Sequence, residues 1–282
     1  MILFCYPAQT QKGDFPMGKV GFIGGGAMAE AIVAAITQGT VDREDIYVSD
    51  HKAKRCEELA EHYGIHTSVG ADGFAGAVDV LVLAIKPQAA AKAMEEVKGR
   101  VRKDAIILSI VAGLTLSVLE KAFPEQPVVR VMPNTPLAVG AGMSAFACGT
   151  HADRQAAAVV QELLASAGRA VEVSEAAMDA VTGLSGSGPA YAFLMIDALA
   201  DGGVAAGLKR PAAIELAAQT LLGAAKMVLE TGRHPDVLRD QVTSPAGTTI
   251  AGVRVMEQRG VRGALIDAVL AATEKSKELG KK

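Results

Sequence analysis

Aromatic residues are scarce in this chain, at 4% with no tryptophan, although half of its 282 residues are apolar. A chain of this length and composition makes one or two ordinary globular domains. Charge of one sign is also lacking: 28 basic against 31 acidic residues leave a net charge of −3. With no basic excess, nothing tracks the phosphates of a nucleic acid or holds an anionic membrane surface, so neither is expected as a partner. The longest stretch free of acidic and basic side chains, Val131 to Ala152, could span a bilayer by length. Pro133, Asn134, Pro136 and three glycines interrupt it, so it reads as loop and strand. Cysteines number three, Cys5, Cys56 and Cys148, far apart in sequence. They write neither a disulfide framework nor a metal knuckle, and a reducing, cytoplasmic setting is expected. None of the five histidines stands beside a nucleophile and none is joined by a cysteine in a metal knuckle, so no metal site is expected and hydrolytic chemistry has no support.

What is present begins after residues 1–16, which read as a disordered extension because they carry no basic segment and only a short apolar opening broken by Pro7. From Lys19, short β-branched runs alternate with amphipathic stretches: KVGFI, a helix over Ala27 to Gly39, DIYVS, a helix over Lys52 to Tyr63, DVLVLAI, AIILSIV and PVVRVM. Repeated strand–helix units predict a parallel sheet covered on both faces. The expected architecture is an α/β doubly wound Rossmann-type domain over residues 17–174, followed by an all-α domain over 175–282.

The first strand runs into Gly24-Gly25-Gly26-Ala27-Met28-Ala29, the G-x-G-x-x-G/A form with alanine third. Gly24 permits a tight turn, Gly26 lets a pyrophosphate approach the backbone, and Ala29 lets helix and strand pack closely. The amides at Gly26, Ala27 and Met28 would then face phosphates. Asp50, 26 residues after Gly24, ends the second strand where this fold meets a ribose hydroxyl, which favours NAD. Lys52, Lys54 and Arg55 follow at once, and cations there suit the 2′-phosphate of NADP. The two signals conflict, and both cofactors stay open. Lys86, Ala112 and Asn134 lie just beyond later strands, at the sheet edge where open parallel sheets bind ligands.

The last strand, AVEV, gives way to helical periodicity from about Ser174. Ile214, Ala217, Ala218, Leu221, Leu222, Ala225, Val228 and Leu229 mark one face of a long helix begun by Pro211. The segment Ala190 to Ala200 is apolar almost all round, so a homodimer that buries it is expected. Two aperiodic patches remain, Gly183 to Pro189 and Val242 to Thr249. The second leads into a helix, carries several hydroxyls and no acidic residue, and suits an anion such as a carboxylate; an elaborate Ser/Thr cap is the plainer alternative. A reductase of 3-hydroxy acids would carry a lysine and an amide on the helix after its glycine-rich patch, where this chain has Ala192 and Ile196. A C=O reducer therefore lacks its proton donor, whereas an imine can arrive already protonated.

On these residues the chain resembles the pyrroline-5-carboxylate reductases. The resemblance covers about Met17 to Leu279 and is carried by VGFIGGGAMA, AIKP, IVAG, VMPNTP, GLSGSGPAY, AAKMVLETG and DQVTSPAGTTIAGVRVMEQ. It implies NADP(H)-dependent, and also NAD(H)-dependent, reduction of the ring C=N of 1-pyrroline-5-carboxylate to L-proline by a homodimer that assembles further in some arrangements. Ser244, Gly247 and Thr248 would bind the substrate carboxylate and Thr249, the catalytic candidate, the ring nitrogen, with Lys86, Ala112 and Asn134 along the cofactor. Two positions depart from the family pattern. Ala246 stands where many members have a second glycine, and Asp50 is not the residue of a clearly NADPH-selective member. Another imine or keto-acid reductase on the same scaffold and a non-catalytic nucleotide sensor are the competing functions.

Overall fold

The computed structural model describes residues 18–70 and 73–280, so the expected extension over residues 1–16 lies outside the described residues. The first half runs β1 (Val20–Ile23), α1 (Ala27–Ile36), β2 (Ile46–Asp50), α2 (Ala53–Tyr63), β3 (His66–Val69), β4 (Val80–Leu83), α3 (Pro87–Val97), β5 (Ile106–Ser109), α4 (Leu116–Ala122), β6 (Val128–Met132), β7 (Gly142–Cys148), α5 (Arg154–Ala165) and β8 (Gly168–Glu172). The helices α6 (Met178–Val181), α7 (Gly188–Ala205), α8 (Arg210–Thr231), α9 (Pro235–Gln241), α10 (Thr248–Gln258) and α11 (Val261–Gly280) follow. The chain divides into two compact units, one running to Gly186 and taking in the last turns from Lys275, the other Ser187–Glu274.

The strands form one sheet in the order β3-β2-β1-β4-β5-β6-β7-β8. All neighbours are parallel except β6 and β7, where Val129 pairs with Cys148 and Met132 with Ala145 in antiparallel register. The parallel expectation thus needs one correction. The connection from β6 to β7 is a short turn over Thr135–Val139 closed by Gly140 at φ +69°, too short for a crossover helix. The charge-free stretch Val131 to Ala152 is this β-hairpin, as loop and strand require.

Alternate residues of the inner strands feed two separate cores. Phe22, Val48, Val82, Leu108, Val131 and Phe146 pack with Ile32, Leu59 and Val160 on one face. Ile23, Leu81, Leu83, Ile107 and Ala147 pack with Met94, Leu119 and Phe123 on the other. Burial on both faces is why these strands read as continuous apolar runs. The strands are shorter than their apolar text. DVLVLAI supplies only Val80–Leu83, and Pro87 fixes the start of α3. The first helix stops at Ile36, before the expected Gly39, because the Thr37 hydroxyl turns back to the carbonyl of Val33 at 2.9 Å.

In the helical unit, Pro211 lies in the first turn of α8 and Gly232 closes it at φ +64°. Of α7 only Ala200 is buried, while Phe193 and Leu194 are 64% and 70% exposed. Among the described residues α8 alone is long and apolar enough to cross a membrane, by length and composition. Its exposed Ile214, Leu216, Leu222, Met227 and Leu229 continue the apolar surface of this unit.

Candidate active site

Strand order reverses at β1, which lies between β2 and β4. The carboxyl ends of β2, β1, β4, β5 and β6 therefore share one sheet edge, with a crevice at the reversal. This edge brings together the Gly24–Met28 turn, Asp50, Lys52, Lys86, Ala112 and Asn134. Gly24 has φ +101°, and a β-carbon there would stand 2.5 Å from the Ala84 carbonyl oxygen, so the turn requires glycine. Gly26 differs, since a β-carbon built on it meets nothing within 4 Å. Its backbone opens the first turn of α1, and no side chain caps it. Open space in front of uncapped helix amides fits a pyrophosphate.

Asp50 is engaged at both carboxylate oxygens. Oδ2 accepts the Gly25 N–H at 3.0 Å, and Oδ1 accepts the Lys52 N–H at 3.0 Å. Arg55, expected to reach a phosphate, instead donates from Nε to the Gly25 carbonyl at 2.7 Å and pairs through Nη2 with Glu30. The Glu30 hydrogen bond raises the pKa of the Arg55 guanidinium further above its usual value. Glu30 also accepts the Tyr63 hydroxyl at 3.2 Å, and burial pushes that phenol up. Lys52 is exposed and opens α2 as its cap residue.

Lys86 is exposed before Pro87, and Ala112 is exposed beside Gly113 at φ +78°. Asn134 is braced: its Oδ1 accepts the Met143 N–H at 2.9 Å, and its Nδ2 donates to the Ser185 carbonyl at 3.3 Å. It stitches the β6–β7 turn to the glycine-rich patch, where Thr182–Gly186 forms one wide π-type turn before α7. Glu30 and Tyr63 were not legible as site residues, although Glu30 stands four residues after Gly26, and Ser185 was legible only as part of the Gly183–Pro189 patch.

In the helical unit, Ser244, Gly247, Thr248 and Thr249 stand together at the start of α10. Gly247 is its cap residue, and no side chain caps the helix. A β-carbon on Gly247 would lie 2.3 Å from Ser244 Oγ, so glycine alone lets the serine hydroxyl lie over the helix start. Among the described residues the hydroxyls of Ser244, Thr248 and Thr249 have no hydrogen-bond partner, whereas Thr243 Oγ1 is spent on the Arg239 carbonyl at 2.7 Å. Ala246 has φ +57°, the one non-glycine residue with positive φ among the described residues.

Residues 175–279 match the family model described as pyrroline-5-carboxylate reductase dimerisation. Residues 19–113 match one described as NADP oxidoreductase coenzyme F420-dependent. A pyrroline-5-carboxylate reductase of Synechocystis is 46% identical over 94% of this chain and 99% of its own length. The chain belongs to the pyrroline-5-carboxylate reductase family. The Arabidopsis thaliana reductase is 45% identical over 93% of this chain and 95% of its own. Among solved members of the pyrroline-5-carboxylate reductase family, that of Coxiella burnetii superposes with a TM-score of 0.88 at 35% identity, covering 93% of this chain and 98% of the other. The Plasmodium falciparum reductase, solved with NADP bound, gives 0.83 at 30% identity, covering 94% and 99%.

Proposed function

We propose that this chain reduces the ring C=N of 1-pyrroline-5-carboxylate to L-proline with NADPH, the last step of proline synthesis, and accepts NADH as well. Supporting this is its 46% identity to a pyrroline-5-carboxylate reductase over nearly the whole of both chains. Such likeness separates it from a keto-acid reductase and from a nucleotide sensor. The single structural observation that carries the site assignment is the cluster of three unpartnered hydroxyls at the uncapped start of α10.

The substrate is a small anion with a basic imine nitrogen. Ser244 and Thr248 would hold its carboxylate through their hydroxyls, together with the unpaired amides of the first turn of α10. Gly247 keeps that approach open. The ring N–H of the protonated imine would donate to Thr249 Oγ1, which fixes the ring and so the face of its electrophilic carbon. No acidic side chain lies in the loop, and none is needed, since the imine carries its own proton. At the sheet edge, Gly24, Gly26, Ala27 and Met28 would cradle the cofactor pyrophosphate, with Lys52 beside the adenosine ribose and Lys86, Ala112 and Asn134 along its length. When bound, NADPH supplies the hydride.

A homodimer fits the exposed apolar face of α7 and α8, within the segment matching the dimerisation model. Such a face is what a two-fold partner covers. Further assembly of dimers and a cytoplasmic setting complete the reading, the latter supported by the free Cys56 and Cys148.

Purified protein incubated with 1-pyrroline-5-carboxylate and NADPH carrying deuterium at the transferable position tests the activity. Labelled proline with deuterium at ring carbon 5 is expected. Cofactor oxidation with a 2-keto acid but not with the imine would overturn the assignment.

A further inference from the structure

Both backbone polar groups of Gly25 are held by side chains from the β2–α2 segment. The Gly25 N–H donates to Asp50 Oδ2 at 3.0 Å, and its carbonyl accepts Arg55 Nε at 2.7 Å. In a trans peptide the carbonyl and the next N–H point in opposite directions. Drawing the Gly25 carbonyl toward α2 therefore turns the Gly26 N–H the other way. That N–H has no partner among the described residues, and it belongs to the glycine whose missing β-carbon leaves open space.

Arg55 is held on this task from its far end. Nη2 pairs with Glu30 in the first turn of α1, Nη1 lies 3.5 Å from Glu58, and Glu30 takes the Tyr63 hydroxyl on its other oxygen. The Arg55 side chain is only 23% exposed. Turning it out to a phosphate would break the carbonyl bond and the ion pair together, and would leave the Glu30 carboxylate unpaired. The neighbouring Lys52 has no such tie, and Lys54 makes one long contact, 4.0 Å, to Glu58.

We propose that Arg55 is a positioning residue, which acts on the bound dinucleotide by aiming the Gly26 N–H, and that Glu30 keeps it in place. Arg55 therefore supports NADPH and NADH alike, and the 2′-phosphate is met by Lys52. This rests on the Gly24–Met28 turn being the nucleotide site.

The test measures the affinities of the whole enzyme for NADPH and NADH by nicotinamide fluorescence in Arg55→Ala, Arg55→Lys, Glu30→Gln and Gly26→Val. Circular dichroism checks that each variant is folded. Arg55→Ala is expected to weaken both cofactors by about tenfold, the usual consequence of losing a charged hydrogen bond, with their ratio held within about threefold. Arg55→Lys is not expected to restore binding, because an ammonium cannot serve the carbonyl and Glu30 in the guanidinium's forked geometry. Glu30→Gln should weaken both cofactors in the same direction and provides a second measurement if Arg55→Ala is unstable. A ratio change beyond about threefold, rescue by lysine, or unchanged affinity for both cofactors would overturn the proposal. Gly26→Val separates the two levels. If it leaves binding intact, the nucleotide turn itself is misassigned; if it abolishes binding while Arg55→Ala acts on NADPH alone, only the positioning role falls.

Discussion

Ala246→Gly isolates the one strained backbone position in the substrate loop. Ala246 has φ +57°, where a β-carbon is crowded by its own backbone at a cost of roughly 1–2 kcal/mol. Glycine removes that cost but gives the unfolded chain more freedom, worth about 0.4–1 kcal/mol against the fold. The difference, about 0–1.6 kcal/mol, leaves the variant at least as stable as the parent. At roughly 2–4 °C per kcal/mol for a chain of this size, Tm rises by up to about 6 °C. The same relief loosens the loop that presents Ser244 and Thr248, so KM for the imine rises by about two- to fivefold while kcat holds, because a less ordered site binds less tightly. Calorimetry and steady-state kinetics read the two effects separately. Ala246→Val provides the opposite perturbation, since a β-branched residue is a true outlier at positive φ, and it should lower Tm. A fall in Tm for the glycine variant, or a valine variant as stable as the parent, would show that Ala246 carries no such strain.

Three further outcomes are expected. Phe193→Glu with Leu194→Glu places two charges on the exposed face of α7 and should yield monomers in sedimentation, whereas an unchanged dimer would put the interface elsewhere. Lys52→Ala should weaken NADPH but not NADH; equal loss of both would make Lys52 a general contact. Burial, with Glu172 adding to it, pushes the Cys148 thiol up to about 11. The thiol is therefore neutral near pH 8, and Cys148 should resist alkylation in the folded protein while reacting on unfolding. Because the folded pKa is raised above the ordinary thiol value of 9.0, stability due to this group is intact below pH 9 and lost as pH rises toward 11. Rapid labelling at pH 8 would contradict both statements.

The sheet was legible because buried parallel strands leave continuous apolar runs between amphipathic helices, and the Gly24 turn because its φ of +101° and its contact with Ala84 require glycine. The substrate loop was legible because hydroxyls and glycine gather where helical periodicity stops. Strand ends were overestimated: β4 ends at Leu83, Ala84 adds only one N–H bond to the Ile23 carbonyl at 2.9 Å, and Ile85 is apolar for packing against the core. The antiparallel β6–β7 pair was hidden because direction leaves no mark on an apolar run, only on the length of the connection. Arg55 was the least legible. A cation beyond β2 looks the same in sequence whether it faces a phosphate or the Gly25 carbonyl, and Glu30, which holds it, is 25 residues away.

Thr249 has a hydroxyl without a partner among the described residues, and that hydroxyl is assigned to the ring nitrogen. Thr249→Val keeps the shape and removes that oxygen, leaving the ring nitrogen without its partner at about 1–3 kcal/mol, roughly one to two decades in rate. The decisive measurement is kcat and KM for imine reduction by this variant across pH. In this variant kcat is expected to fall by about one to two decades with KM little changed, because the bond orients the reacting ring. The pH profile is expected to keep its shape, since no side-chain acid takes part. A Thr249→Val enzyme with the parent kcat and KM would show that another group holds the substrate.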